Sequence, residues 1–364
     1  MEIYSIWLNN LNMSDRIKLK LYNRAGGAKQ VFELSQSDCR ELNLNDRQVA
    51  TLINYKSKLE DAEKILEITK KEKIDIIDID SKYYPELLKN IDDAPIVLYG
   101  RGDKKHLRGI HLSMVGARHC SAYGYNIAKD LAQKLSEDGV TIVSGLAEGI
   151  DSGAHKGALL GDKSTIAVLG TGVDICYPTS NRDLYARIAN EGYIISEYAP
   201  KTEIRAYHFP RRNRIISGMT LGVIVVEAAT RSGSLITADR ALEQNRLIFS
   251  VPGNIDSKLS KGTNDLIKNG AKLVVNKTDI IEELPDYIKL QLDVKNNDYD
   301  KKNKNSLDKM ESLVYDCVSR EPIPREQVQQ KANIETGTLD MVLVRLELKK
   351  FVQRIPGNRY MRLK

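Results

Sequence analysis

The sequence predicts an α/β fold: an extended, mostly parallel, doubly wound sheet, with a small helical module before it and a helix-and-hairpin module after it. Three observations carry this. Seven short apolar runs between residues 110 and 275 alternate with helix-period segments, the arrangement of parallel strands joined by crossover helices. Three of those runs pass straight into glycine-rich turns. An Asn-, Asp- and Lys-rich stretch at 294–305 then interrupts the apolar pattern, which resumes beyond it.

The 364 residues suffice for one large α/β domain and one or two small ones. Over 1–70 the pattern is that of short helices. Ser14 stands where an N-cap belongs, Ile17, Leu19, Leu21 and Tyr22 supply apolar positions, and Gly26-Gly27 breaks the run. From Ile74 the chain turns strand-like, through Ile76, Ile77 and Ile79 and again from Pro95 to Tyr99, opening a sheet domain expected over 71–290. Its further strands are expected at Ile110–Val115, Val140–Ser144, Thr165–Leu169, Tyr193–Ser196, Gly222–Val226, Leu247–Val251 and Lys272–Val275. Between the first two of these, Ile127, Ala128, Leu131, Ala132 and Leu135 form one helical stripe suited to covering a sheet face. Residues 291–305 bury almost nothing and read as a linker. Over 306–364, a helix through Met310, Leu313, Val314 and Val318 and another through Leu339, Val342, Leu343 and Leu346 flank a middle helix. Phe351-Val352, the Pro356-Gly357-Asn358 turn and Tyr360-Met361 then make a hairpin, so this module reads as winged-helix-like.

Composition excludes several classes. Fifty-five Lys and Arg against 49 Asp and Glu give a net charge of +6, too mild to argue for a polyanionic partner without local clustering. No basic leader region and no run long enough to cross a bilayer occur, and the chain reads as soluble and cytoplasmic, with no membrane partner. Cys39, Cys120, Cys176 and Cys317 are far apart, with neither a C-x-x-C pair nor a histidine at ligand spacing, so no disulfide framework and no metal are expected.

The candidate site lies at the strand ends. Val115-Gly116-Ala117-Arg118, Ser144-Gly145 through Asp151, and Leu169-Gly170-Thr171-Gly172 each follow a strand and open a helix, where an open α/β sheet binds its ligand. Glycines let the backbone approach an anion, and free amides at a helix start favour phosphate. None of the three is a dinucleotide fingerprint, since Ile175 stands where the third glycine belongs, and no P-loop motif occurs; no cofactor is expected. The alternative is that these are only tight turns. The most basic segment, Arg205 to Arg214, adds Arg205, Phe209, Arg211, Arg212, Asn213 and Arg214 without a single acid. Guanidinium groups pair with phosphates and an aromatic among them offers a stacking face, a mixture suited to a single strand. The alternative is a solvated arginine surface with Phe209 in the core.

Arg118 is expected to project from the carboxyl edge of the sheet, or to pair with Glu148 or Asp151. Those two carboxylates and Glu227 are the candidates for acid/base work, but no nucleophile or metal set accompanies them, and Asp151 reads as a helix cap. His155, on a face with Ile150, Ala154 and Ala158, reads as a packing histidine. Cys120 sits near a helix start, where a thiol pKa can fall.

Taken together, Val115-Gly-Ala-Arg118, Ser144-Gly-Leu-Ala-Glu-Gly-Ile-Asp151, Phe209-Pro-Arg-Arg-Asn-Arg-Ile-Ile216, Ser232-Gly-Ser-Leu-Ile-Thr237, Val251-Pro-Gly253 and Gly262-Thr-Asn264 closely resemble one family, the bacterial DNA-processing protein A family (DprA or Smf). The resemblance runs from about Ile74 to Glu283. It implies a Rossmann-like sheet domain, an N-terminal module of the SAM or helix-hairpin-helix kind and a C-terminal winged-helix-like domain. It also implies a role without catalysis in natural transformation: binding single-stranded DNA, loading the recombinase RecA onto it, working beside single-strand-binding protein, and acting as a homodimer. By motif, Arg118 becomes the phosphate-gripping arginine of the glycine turn, with Phe209, Arg211, Arg212 and Arg214 in the same pocket. Ser232, Gly233 and Ser234 belong to the same motif set, and the dimer face falls around Lys268 to Leu273. The family's turn usually carries Ser or Thr where this chain has Ala117, so a hydroxyl donor is missing. On this reading Arg118, Phe209 and Arg214 share one face. Two other readings remain: a nucleotide-hydrolysing Rossmann-like enzyme, which needs a Gly-Gly-x-Gly-Thr loop where this chain has Ser232-Gly-Ser-Leu, and a winged-helix transcription regulator.

Overall fold

The computed structural model describes residues 2–292, 307–319, 322–349 and 351–362. Six helices come first: α1 (Glu2–Asn9), α2 (Asp15–Ala25), α3 (Ala28–Glu33), α4 (Gln36–Glu41), α5 (Asp46–Tyr55) and α6 (Leu59–Glu72). Local chemistry sets their ends. Ser14 is the N-cap of α2, and Gly26 closes it with a φ of 85°, a left-handed conformation that glycine adopts without strain. Asn45 and Gln48 form a reciprocal capping box on α5. Trp7, fully buried, donates its indole N–H to the Tyr55 carbonyl at 2.7 Å. The apolar faces of these helices do not close on themselves: Trp7, Leu21 and Leu52 share one core with Ile77, Leu98 and Tyr99 of the sheet. Residues 1–288 accordingly form one compact unit, the helices of 1–70 included, and residues 289–364 a second.

The sheet has nine strands: β1 (Asp75–Asp78), β2 (Val97–Gly102), β3 (Ile110–Val115), β4 (Val140–Ser144), β5 (Thr165–Val168), β6 (Tyr193–Ser196), β7 (Gly222–Val225), β8 (Leu247–Ser250) and β9 (Lys272–Leu273), in the order β1-β2-β6-β5-β4-β3-β7-β8-β9. From β6 across to β9 every pairing is parallel, while β1 and β2 add antiparallel at one edge. The inner strands are buried at every residue, which is why they read as unbroken apolar runs. The chain winds outward from β3 to β6, then crosses back to place β7 on the other side of β3. The carboxyl ends of β3 and β7 therefore flank a topological switch point, where doubly wound sheets open a crevice. Beyond the short α7 (Glu86–Lys89), helices α8 (Ala122–Glu137), α9 (Ile150–Ala158), α11 (His208–Gly218) and α12 (Gly233–Glu243) all begin at this end of the sheet, each after a strand that ends there; α10 (Arg182–Glu191) precedes β6.

In the second unit, helices Lys309–Cys317, Arg325–Ala332 and Thr336–Leu348 bury Val314, Val328, Leu339, Leu343 and Leu346 against Phe351, Val352 and Tyr360 of a small antiparallel sheet. Its strands are β10 (Ile323–Pro324), β11 (Val352–Ile355) and β12 (Arg359–Arg362), with the proline-bearing β10 at an edge. This is the winged helix expected from the sequence. Residues 293–305 of the expected linker lie outside the described residues.

Candidate nucleic-acid interface

A cleft of about 670 Å³ opens at the switch point, lined by the turn after β3, the start of α12 and one face of α11. The turn after β3 is fixed from two sides. The Ala117 amide donates to the Glu227 carbonyl at 2.7 Å, and the Ala117 carbonyl accepts from Ile150 at 3.2 Å. Gly149, at a φ of 75°, makes that contact possible: a Cβ there would lie 2.3 Å from the carbonyl oxygens of Ala117 and Arg118. The first two glycine turns thus brace each other, and Arg118 projects from the braced edge into solvent.

Among the described residues Arg118 makes no ion pair or hydrogen bond, neither to Glu148 nor to Asp151. Its guanidinium lies 5.8 Å from the ring centroid of Phe209, within cation–π range. Phe209 is half-buried and packs at 5.4 Å against Tyr177, an exposed aromatic of the loop after β5. Opposite them, α12 starts at Ser232, Gly233 and Ser234: the two hydroxyls lie 2.7 Å apart, and a Cβ on Gly233 would meet nothing within 4 Å. The cleft therefore presents a cation with no ion-pair partner among the described residues, two aromatic rings and the serine-capped start of α12, a set chemically suited to phosphate beside an unstacked base. Asn213 lies between, accepting from Nε of Arg212 and reaching the Gly233 carbonyl at 3.4 Å.

Arg212 forms the floor. Only 5% exposed, it donates to the carbonyls of Gly145 and Val168, tying the ends of β4 and β5 together, and a Cβ on Gly145 would sit 2.4 Å from its guanidinium. Burial pushes its pKa down to about 10, partly offset by Asp151, so it remains a cation at neutral pH.

Other expected site residues are placed elsewhere. Ser144 is fully buried and donates its hydroxyl to the Met114 carbonyl at 2.6 Å, so it does not face the cleft. Gly145 lines a recess beside the cleft, but its amide is taken by Asp151 at 3.0 Å. The third glycine turn is packed: the Gly172 amide donates to Thr202, the Gly170 carbonyl accepts from His208 at 2.9 Å, and Gly170 lies beneath the Phe209 ring. It supports the aromatic without reaching the cleft. Arg214 does not join Arg118 and Phe209 on one face. It is buried on the far side of α11, bonded to Asp15 and Glu197, and Arg211 turns the same way. Arg205 bonds the Tyr207 hydroxyl at 3.0 Å outside the cleft, although its neighbours Ile204 and Ala206 line it.

The ionisable residues are occupied structurally. Asp151 accepts from the Gly145 and Ala147 amides, and burial raises its pKa against the pull of Arg212. Glu148 accepts from Ser180 at 2.6 Å rather than anchoring an arginine, and Glu227 holds the start of α8 through the Ser121 amide and hydroxyl. His155 is fully buried between the Leu146 amide and Thr165, and burial pushes its pKa down to about 3. The Cys120 thiol is pushed up by burial, the opposite of an activated thiol. Among the described residues no group of three or more His, Cys, Asp or Glu could hold a metal ion, and no helix is long and apolar enough to cross a membrane. The sequence reading missed Tyr177, whose signal was an aromatic in the loop following a glycine turn at the same sheet edge.

Fold and site define a doubly wound α/β protein with an open, aromatic and cationic cleft at its switch point and a winged helix at its C-terminal end. Residues 75–285 match the family model of DNA recombination-mediator protein A, and residues 300–358 match the DprA winged helix domain. The chain belongs to the DNA recombination-mediator protein A family, known as DprA or Smf. It is 41% identical over 261 residues to the DNA processing protein DprA of Streptococcus pneumoniae, spanning 70% of this chain and 91% of that protein. To Protein Smf of Escherichia coli it is 38% identical over 290 residues, 79% of this chain and 77% of that one. The X-ray structure of the S. pneumoniae protein superposes with a TM-score of 0.69 at 38% identity, covering 78% of this chain and 97% of the other. A structure of the Helicobacter pylori protein, described for its single-stranded DNA binding mode, gives a TM-score of 0.53 at 29% identity over 60% of this chain and 96% of that one.

Proposed function

We propose that this protein binds single-stranded DNA in the switch-point cleft and delivers it to RecA as a recombination mediator, without chemistry on the strand. The observation that carries the reading is the Arg118–Phe209 pair, a guanidinium with no ion-pair partner among the described residues set beside an aromatic in an open cleft. Arg118 would take a phosphate, Phe209 and Tyr177 would stack a base, and Ser232, Gly233, Ser234 and Asn213 would donate to a neighbouring phosphate. A duplex hides its bases from such rings, so single strands should bind more tightly. The single-strand binding described for the H. pylori protein and the mediator role in the family's name support this. The cytoplasm, where incoming DNA meets RecA, is the compartment the role requires. Edge strand β9, with Leu273 41% exposed and Lys268 nearby, is the proposed homodimer face.

The test compares single-stranded and duplex oligonucleotides of one sequence, for wild type and Arg118→Ala, by fluorescence anisotropy. Tighter binding of the single strand, weakened by the substitution, supports the reading; equal affinities for the two forms refute it. RecA loading is checked separately, by RecA filament growth on DNA coated with single-strand-binding protein, and light scattering in solution checks the dimer.

A further inference from the structure

Helix α11 has two working faces. Phe209, Arg212, Asn213 and Ile216, spaced i, i+3, i+4 and i+7, line the cleft. Arg211 and Arg214, three residues apart, point instead to the N-terminal helices. There a single carboxylate oxygen, Oδ2 of Asp15, accepts from Nε of Arg211 at 3.1 Å and from Nη2 of Arg214 at 2.7 Å. Asp15 opens α2 and is 8% exposed; Arg214 is 3% exposed, and its Nη2 also donates to Glu197 at 2.7 Å. Nε of Arg214 lies 3.4 Å from Asp93, and Nζ of Lys18 lies 3.6 Å from the other oxygen of Asp15. Three cations, Lys18, Arg211 and Arg214, thus meet three carboxylates, Asp15, Glu197 and Asp93. In such a cluster, removing one member strands a buried charge, which is costly.

With Arg212 held to Gly145 and Val168 on the cleft side, the two anchors three residues apart on the opposite side complete the restraint of α11 against rotation about its axis. With side chains roughly 5 Å from that axis, a 20° turn would carry Phe209 about 2 Å, enough to lose a stacked base. We propose that Asp15 is a positioning residue for the cleft: from the N-terminal helices it sets the rotation of α11 and so the place of Phe209 beside Arg118. This inference rests on the single-strand reading above.

The test is a double-mutant cycle in the full chain, with Asp15→Asn, Phe209→Ala and both together, read by anisotropy with a labelled oligothymidylate. Phe209→Ala should weaken wild-type binding about 5- to 150-fold, the worth of one stacked base. Asp15→Asn should weaken it about tenfold, and Phe209→Ala should then cost less than about twofold, because the ring is already displaced. A merely structural aspartate would leave the full Phe209 effect in place, so losses that multiply overturn the proposal. If Phe209→Ala leaves the wild type unaffected, the single-strand reading itself falls, and the positioning role with it. Should circular dichroism show Asp15→Asn unfolded, Arg211→Gln, at the 39% exposed arm of the cluster, takes its place in the cycle and the same outcomes decide.

Discussion

Replacing Arg118 by alanine isolates the electrostatic part of the proposed grip. Arg118 is exposed, and among the described residues its guanidinium makes no ion pair or hydrogen bond and lies beside the ring of Phe209, so its removal strands no buried charge. Fold stability should change by no more than about 0.5 kcal/mol, the usual range for a surface substitution. On a single strand, each phosphate neutralised contributes about 0.7 to the slope of log K against log salt. Losing one contact flattens the slope by about 0.7, so a fourfold rise in salt costs the variant about 2.6-fold less affinity than it costs the wild type. Anisotropy titrations of a labelled oligothymidylate over a salt series measure both slopes. Arg211→Ala is the matched control: its guanidinium is held by Asp15, so the variant should lose affinity with an unchanged slope. Equal slopes for wild type and Arg118→Ala, or an equal flattening in Arg211→Ala, would refute the assignment of Arg118 as the phosphate contact.

Three further outcomes follow from the same geometry. Gly145→Ala puts a Cβ 2.4 Å from the Arg212 guanidinium and should destabilise the fold by about 1–3 kcal/mol, seen as a lower Tm. Glu227→Ala removes the carboxylate that accepts from the Ser121 amide at 2.8 Å and hydroxyl at 2.5 Å, and should cost about 2 kcal/mol in urea unfolding. His155, held near pKa 3 by burial, is neutral in the fold but protonates in the unfolded chain below its ordinary 6.5. Its stabilising contribution is complete above pH 6.5 and is lost as pH falls toward 3, at about 1.4 kcal/mol per pH unit. Burial shifts His106, His111 and His208 the same way, so the wild type should lose stability as pH falls below 6.5, and His155→Gln should lose about one proton's worth less.

The strands were legible because parallel strands covered on both faces must be apolar throughout. The runs at 110–115, 140–144 and 193–196 coincide with β3, β4 and β6, and the run at 165–169 overshoots β5 by one residue. The turn bearing Arg118 was legible for a related reason: a glycine leaving a buried strand and entering a helix has few other uses. What could not be read was the direction of each side chain in the basic segment. Composition shows four arginines between 205 and 214, but whether one faces solvent or a carboxylate depends on Asp15, nearly two hundred residues away, and on Glu197 beside β6. The burial of Ser144 is not legible in the sequence, because a serine at a strand end has two acceptors within reach, a ligand or a neighbouring carbonyl, and sequence does not rank them. The helices of 1–70 looked separate because their apolar stripes are local, whereas the surface those stripes cover, Ile77 to Tyr99, comes later in the chain.

Arginine density therefore measures anchoring in this protein more than phosphate count. Of the four in the basic segment, Arg214 and Arg211 are bound to carboxylates, Arg212 to carbonyls, and Arg205 lies outside the cleft. Four independent phosphate contacts would give a salt slope near −3 on a single strand, from about 0.7 each. Among the described residues lining the cleft, Arg118 is the exposed arginine and Arg212 a shielded one beneath it, which brackets the slope between about −0.7 and −1.4. On the proposed reading, affinity then comes mainly from stacking on Phe209 and Tyr177 and from donors at the start of α12, interactions that salt screens poorly. Wild-type binding should accordingly persist at moderate salt and fall sharply when Phe209 is truncated. A measured slope steeper than −2 would mean that cations outside the cleft carry the strand, and would shift the weight of the interface from the rings to charge.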